Sequence, residues 1–412
     1  MARTGWLRPL TLLLAAGLVA ASASVGAAAD ETAKFAGKPI AGGVSMQRAT
    51  EVEPGVYTVL TPEAGERVFF DIERTIPGST IWYGASVDYP EGVKGNLLLQ
   101  AYADGDSTES CDRDYFVGDF EKLRLRTSVY TTATNPACRS AESIVLALGA
   151  FETEFKDDDD RPVTQLVVWE EPPVEDANNL PAATSAVSWQ EMPEPGTSKN
   201  AVAGTSYSDA PLLKDDEPVT ITAQPGEPTL FRVPLDWGEH AQVVASSTTA
   251  AVGDDTATIE ADWISPLGGA APVKASSGGP SPDLDLTTDL ETEPAGWASP
   301  IVAWSNRQLT GDGGSPLALA GDYFLSIKVP YASLPDSGVE ITLQKKTFDD
   351  YTDTPPTYTE DPLPLPELTT GASPESEEDE RPWPTVLMLL GGATVFTVAG
   401  LVGLGVGRKG RA

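Results

Sequence analysis

The sequence reads as all-β: two tandem antiparallel β-sandwich or jelly-roll domains, a disordered stalk and one C-terminal transmembrane helix. Three observations lead there. Short runs rich in β-branched and aromatic residues alternate with Gly- and Pro-containing turns. Between the two ends of the chain, no long stretch keeps apolar residues at helical spacing. A set of landmarks also recurs at an offset of 161 residues, as though one unit were written twice.

Taken in order, the chain opens with Arg3 and Arg8, an apolar run from Leu10 to Ala20, and small residues ending Ala27-Ala28-Ala29. This is the pattern of a secretory signal peptide over residues 1–29, with an A-x-A cleavage site. The first sandwich is expected over residues 36–170. Val56-Tyr-Thr-Val-Leu60 and Arg67-Val-Phe-Phe-Asp-Ile72 read as strands separated by a turn at Pro62 to Gly65, and Val163 to Trp169 reads as the closing strand. Residues 171–200 hold several prolines and no periodicity, and read as an inter-domain linker. The second sandwich, 201–346, repeats the opening as Val219-Thr-Ile-Thr222, a turn around Pro225-Gly226 and Leu230-Phe-Arg-Val233, and closes with Val339 to Leu343.

The repeat is visible residue by residue. Gly43-Val44-Ser45 matches Gly204-Thr205-Ser206, Gly65-Glu66 matches Gly226-Glu227, and Phe70 matches Phe231. After a one-residue slip Gly78 meets Gly238, and then Leu98 meets Ile259 and Tyr102 meets Trp263. Each unit has its own opening and closing strands, which predicts that the two fold independently and move relative to one another unless an apolar interface joins them.

Residues 347–384 alternate prolines with acidic and Thr residues and end in Glu375-Ser-Glu-Glu-Asp-Glu380. Such a segment buries too little apolar area to offset its ordering entropy, so it is expected to be an extended, disordered stalk. Residues 385–407 form an uncharged stretch of 23 residues. As a helix it is about 34 Å long, enough for a hydrocarbon core of about 30 Å. Arg408, Lys409 and Arg411 follow in the 408–412 tail and place it on the cytoplasmic side. The expected location is therefore the cell membrane, single-pass, with the N-terminal ectodomain outside.

The net charge of −34 excludes nucleic acid as a partner, because no basic surface is available to release its counterions. The charge reads as a solubility device. The only two cysteines, Cys111 and Cys138, both lie on the exported side, where a disulfide between them is expected. Closing a loop of 28 residues, it contributes about 3–4 kcal/mol in the chain-entropy account.

The unit that opens Gly204-Thr-Ser-Tyr-Ser-Asp-Ala-Pro211, continues Pro225-Gly-Glu-Pro-Thr-Leu-Phe-Arg-Val-Pro-Leu-Asp-Trp-Gly238 and closes Ala320-Gly-Asp-Tyr-Phe-Leu-Ser-Ile-Lys-Val329 resembles a recurring exported module. It looks like the β-sandwich of secreted, membrane-anchored actinobacterial proteins, some of which also carry a von Willebrand A domain. More distantly it is similar to bacterial pre-peptidase C-terminal domains. The resemblance covers both units, the second better than the first, which has Arg48-Ala49-Thr50 in place of Asp-Ala-Pro and lacks the Gly-x-Tyr close. It implies a fold and an exported setting, not a reaction, and no D-x-S-x-S metal motif accompanies it.

No catalytic, cofactor-binding or metal-binding residue is assigned. His240, the only histidine, stands without a G-x-S-x-G elbow, an H-E-x-x-H pair or a P-loop, and reads as a surface turn residue. Asp157 to Asp160 and Asp104-Gly-Asp106 lack EF-hand spacing and read as solvated loops, with a weak Ca²⁺ site the lesser alternative. Trp82-Tyr83, Trp263, Trp297 and Trp304 make a sugar-stacking platform only if exposed; at strand positions they read as core. Leu365-Pro-Glu-Leu-Thr-Thr-Gly371 approaches a sortase signal but has Leu368 where the pattern needs Thr. The expectation is a non-enzymatic surface protein whose partner is a cell-surface protein or the cell wall, besides the membrane that holds its own helix. A carbohydrate- or wall-binding module is the alternative, and a hydrolase using two carboxylates is the less favoured one.

Overall fold

The computed structural model describes residues 35–88, 96–106, 110–116, 125–133, 135–151, 161–183, 187–252, 256–288, 293–308, 317–330, 333–335, 337–349 and 355–368. The expected signal peptide, the 385–407 span, the basic tail and Asp157 to Asp160 lie outside these residues. Among the described residues no helix is long and apolar enough to cross a membrane.

The runs marked as strands by composition form strands. In the first repeat these are β1 (Lys38–Pro39), β2 (Thr50–Glu51), β3 (Gly55–Leu60), β4 (Arg67–Glu73) and β5 (Thr80–Asp88). They continue with β6 (Asn96–Ala103), β7 (Ser110–Phe116), β8 (Leu125–Thr131), β9 (Ser143–Phe151) and β10 (Val163–Glu171). The second repeat has β11 (Lys199–Asn200), β12 (Val219–Ala223), β13 (Thr229–Leu235), β14 (Glu239–Ser247) and β15 (Ala257–Ile264). It is completed by β16 (Ala270–Pro272), β17 (Leu284–Leu286), β18 (Ala295–Ala298), β19 (Gly321–Lys328) and β20 (Val339–Asp349).

They build four sheets. Sheet I is β2-β4-β9-β6-β7 and sheet II is β1-β3-β10-β5-β8. Sheet III is β13-β19-β15-β16, with β17 also on β15, and sheet IV is β11-β12-β20-β14-β18. Sheets II and IV have the same strand order element for element, and sheet III repeats the main run of sheet I. The duplication read from sparse identities is thus a duplication of topology. Its landmarks have local causes. Gly65 and Gly226 occupy the same hairpin turn with φ of 82° and 75°, a conformation that strains any residue with a Cβ. Gly43 and Gly204 bridge to Phe69 and Leu230, and a Cβ there would meet Arg48 O at 1.7 Å and the Ala210 Cα at 2.5 Å.

Each sandwich closes over its own apolar core. Phe70, Ile72, Leu97 and Leu99 of sheet I face Ile81, Tyr83, Leu166 and Val168 of sheet II, with Cys111 and Cys138 at the margin of that cluster. Those two cysteines form the expected disulfide, with Cα atoms 5.4 Å apart. Phe231, Ile259, Trp263 and Leu325 of sheet III face Ile221, Val243, Trp297 and Leu343 of sheet IV.

A third apolar layer joins the two. The outward residues of sheet II, Trp82, Val129, Val167 and Trp169, pack with Leu230, Ile264 and Phe324 of sheet III, together with Tyr207, Leu319 and Leu368. Both faces of sheet II are covered, so β5 and β10 are buried at nearly every position instead of at alternate ones. The chain is therefore a stack of four sheets in the order I, II, III, IV.

This layer meets the condition under which independent motion fails, and the two segments expected to be loose take part in it. In the 171–200 segment, Val187 is buried, Trp189 N donates to Ser277 O (3.0 Å), and the Gln344 side chain donates to Pro193 O (3.0 Å). The segment is a strap lying on sheet IV. In the expected stalk, β20 runs on to Asp349, and residues 355–368 return to the first sandwich. There Tyr358 bridges Val174, Trp169 Nε1 donates to Leu363 O (3.0 Å), and Leu368 is buried in the seam. Proline and acid content suggested a chain with nothing to bury. Tyr358, Leu365 and Leu368 are enough to dock it.

Candidate functional site

Two places concentrate polar chemistry: a buried node in the seam and an open groove on the first sandwich. The node grows from the end of β10, where Glu170 and Glu171 point to opposite faces of the strand. Glu171 is 1% exposed and Arg307 2%. Arg307 sits in the 3₁₀ turn Trp304–Gln308, so the pair spans the two repeats. Both arms of the guanidinium grip the carboxylate, Nη1 on Oε2 and Nη2 on Oε1 (2.8 Å). Trp82 Nε1 donates to Oε2 (2.9 Å) and the Tyr358 hydroxyl to Oε1 (3.0 Å). Arg307 Nε is spent on Trp304 O (2.8 Å), and its plane lies 4.1 Å from the Trp304 ring centroid and 5.2 Å from that of Trp82. A buried ion pair is tolerated only with such saturation. Burial, and then the neighbouring Glu171 charge, hold the Tyr358 phenol well above its ordinary value, so it remains a donor.

Tyr207 inserts into the same seam, and the repeated G-x-S opening explains how. Asp209 accepts from Ser206 N (2.8 Å), Ser206 Oγ (3.0 Å) and Thr205 Oγ1 (3.1 Å), closing a tight turn. The turn presents Tyr207 to Phe324 (centroids 4.9 Å apart) and to Ser86 of sheet II, whose hydroxyl lies 3.3 Å from the phenol oxygen.

The groove, of about 1620 Å³, lies at one end of the first sandwich. Its walls carry Glu51, Glu53, Asp71, Glu73, Asp104 and Glu142 against Lys38, Arg74 and Arg139. Several of these are committed to structure. Arg74 donates to Ala141 O (2.8 Å), Cys138 O (2.8 Å) and Ser79, tying the turn after β4 to the disulfide-bearing helix Pro136–Ser140. Burial lowers the Arg74 guanidinium from its ordinary value, against the opposing pull of Glu170 and Asp104. Glu170 accepts from Thr75 N (2.9 Å), Ile76 N (2.9 Å), Thr75 Oγ1 (2.5 Å) and Ser79 Oγ (2.6 Å), which fixes that turn from below. Glu51, Glu53, Glu73 and Glu142 remain exposed on the rim.

The residues singled out from sequence are distributed otherwise. Asp104 has φ 48° and accepts from Glu142 N (2.7 Å) and Ser143 N (3.0 Å), so it is a turn residue on the rim of the groove. Among the described residues no three His, Cys, Asp or Glu side chains come together as a metal site. Trp82, Tyr83, Trp263 and Trp297 are buried, and none of the large exposed apolar side chains among the described residues is aromatic. His240 corrects its expectation: it is 0% exposed, the second residue of β14, stacked on Phe348 with centroids 5.3 Å apart. The Phe348 ring and the Gln242 side chain lie against it. Leu368, in the segment compared with a sortase signal, is buried in the seam.

Neither a protein-family model nor a curated protein matches the sequence. Among solved structures, the chain is distantly similar to the pre-peptidase C-terminal domain of a Bacillus anthracis collagenase. The match has 8% identity and a TM-score of 0.20, over 32% of this chain and 96% of that one. It is also similar to the tandem CBM22 domains of Paenibacillus barcinonensis Xyn10C (11% identity, 70% and 84% covered, TM-score 0.19). Tandem CBM51 modules of a Streptococcus pneumoniae family 98 glycoside hydrolase are a further match (10% identity, 70% and 81% covered, TM-score 0.19).

Proposed function

We propose that this chain is a non-enzymatic cell-surface protein, exported and held by one C-terminal helix, whose two sandwiches act as one rigid interaction module. On this reading it belongs with membrane-anchored actinobacterial proteins built from such sandwiches. The observation that carries the proposal is the seam. The carboxylates of Glu170 and Glu171, each 1% exposed, are saturated by structural donors, and one of them locks the repeats together. A protein that spends its buried charge on holding two domains in register is built to present a surface. The face it presents is the acidic rim of the first sandwich, suited to a partner of the envelope that brings cationic or hydroxyl-rich groups.

Two arms test this. Protease applied to intact, wall-stripped cells should remove nearly the whole protein; survival of the ectodomain beside a digested extracellular control overturns the topology. A photo-crosslinking residue at Glu73, which is exposed on the groove rim, should capture a discrete envelope component, whereas one at Val202 on the second sandwich should not. Equal capture at both positions, or none at either, removes the groove from the account.

A further inference from the structure

Residues 361–366 are chemically preset for a polyproline II helix. Each one is a proline or precedes a proline. The ring holds φ near about −65° in the prolines and its bulk pushes each preceding residue to extended backbone. The stretch lies along the seam as such a ligand lies in an aromatic-lined groove. Trp169 Nε1 donates to Leu363 O (3.0 Å), Leu365 packs on the seam cluster and Leu368 is buried in it. Gly321 makes room for this, because a Cβ there would meet Pro266 Cγ at 2.9 Å and Leu365 Cδ1 at 3.3 Å.

The chain's own segment is a poor match for this groove. Beside residues 364–368 an open cleft of about 600 Å³ remains, with Pro234, Leu235, Pro266 and Phe324 as its apolar walls. Asp236, Glu239 and Asp322 stand around it, and the tail adds Glu367. Asp322 is answered by Arg232 (3.1 Å), whereas Asp236 and Glu239 accept backbone hydrogen bonds at their turn, from Trp237 N and Asp236 N (both 2.7 Å). None of the described residues lining the cleft is basic. The tail therefore brings a fourth carboxylate to a place that already holds three, and leaves Leu363 50% exposed. Like charges gathered there weaken binding, and a cation in the place of Glu367 strengthens it. We propose that the seam groove recognises a proline-rich segment carrying a basic residue, and that residues 361–368 are an autoinhibitory placeholder in it. The occupant repeats the Pro-Leu-Pro-Leu-Pro register and puts Lys or Arg where the tail has Glu367. Displacement stops at Asp361. Upstream of it the tail is held by Thr359 N on Pro173 O (2.8 Å), Glu175 N on Thr357 O (2.9 Å) and Tyr358 on Glu171. The node stays locked while the groove changes its ligand. This groove is separate from the rim of the first sandwich, and the two readings stand or fall separately.

The experiment uses the full chain in detergent and two fluorescein-labelled peptides of residues 359–368, one native and one with Glu367→Lys. The chain carries Leu365→Ser and Leu368→Ser, which release its own tail and leave the walls of the groove intact. Fluorescence anisotropy should show the Lys peptide binding at least about tenfold more tightly than the native one at about 20 mM salt, with the ratio shrinking at about 500 mM. Asp236→Asn with Glu239→Gln keeps the acceptors of that turn and should remove the preference. The chain with its native tail should bind both peptides more weakly, since the tail competes. No binding to the released chain, equal affinity for the two peptides, or a preference that survives the Asn and Gln changes overturns the proposal. A second measurement decides the matter if the released chain fails to fold. In the otherwise native protein, Glu367→Lys should raise the melting temperature more than Glu360→Lys, which makes the same change of charge on an exposed tail residue outside the cleft. An equal or smaller rise overturns the proposal.

Discussion

Glu171 shows how a residue that looks like surface becomes the centre of the molecule. It sits in Trp-Glu-Glu-Pro-Pro at a strand end, where two adjacent acids before prolines suggest solvent. Its partners are 136 and 187 residues away, at Arg307 and Tyr358, and no local pattern points to them. Glu171→Ala or Arg307→Ala leaves the other charge buried alone and should cost about 3–5 kcal/mol by equilibrium denaturation. Replacing both with apolar residues of similar volume should cost less than either single change, because no buried charge is then orphaned. Tyr358 adds a pH signature. Its folded pKa is raised, so the unfolded chain loses the phenolic proton first, and stability is present below the ordinary tyrosine range and lost as pH rises above it. Tyr358→Phe should flatten part of this alkaline decline. Tyr57 and Tyr323, also held up by burial, should retain a further part.

At the scale of elements, strands and turns were the legible part. The openings at β3–β4 and β12–β13, the closing strands and the repeat offset were readable because period, turn residues and β-branched content are local properties. The two connectors were not. A strap and a docked tail rely on single side chains, Trp189 lying against Gly279 and Gly296 in one and Tyr358, Leu365 and Leu368 in the other, set among prolines and acids that dominate the composition. The tail prediction follows directly. A chain ending at Asp349 loses the Leu368 burial, the Tyr358 bond to Glu171 and the cover over Trp169. It should melt at least about 5 °C below one ending at Leu368. Equal melting temperatures would mean that residues 355–368 add nothing to the seam.

At the scale of the whole molecule, the sequence predicts two sandwiches that move relative to one another unless an apolar interface joins them, and the layer around Trp82, Trp169, Leu230 and Phe324 is that interface. Outward residues of sheet II, Trp82, Val167 and Trp169, gave a hint: a sheet with water on one face alternates, and this one does not. Nothing local said which face of the second repeat would meet it. The packing is heterologous, the β10 sheet of one repeat against the β19 sheet of the next, so the corresponding faces at the two ends of the stack are unlike each other. The strap over sheet IV covers one of those ends. The seam predicts that the four sheets move as one body. It is tested most directly by double electron–electron resonance between nitroxides at Val44→Cys and Val202→Cys, 77% and 86% exposed on different sandwiches. One narrow distance distribution is predicted, broadening when Glu171→Ala and Arg307→Ala are added. A broad distribution in the protein with an intact node would contradict the claim.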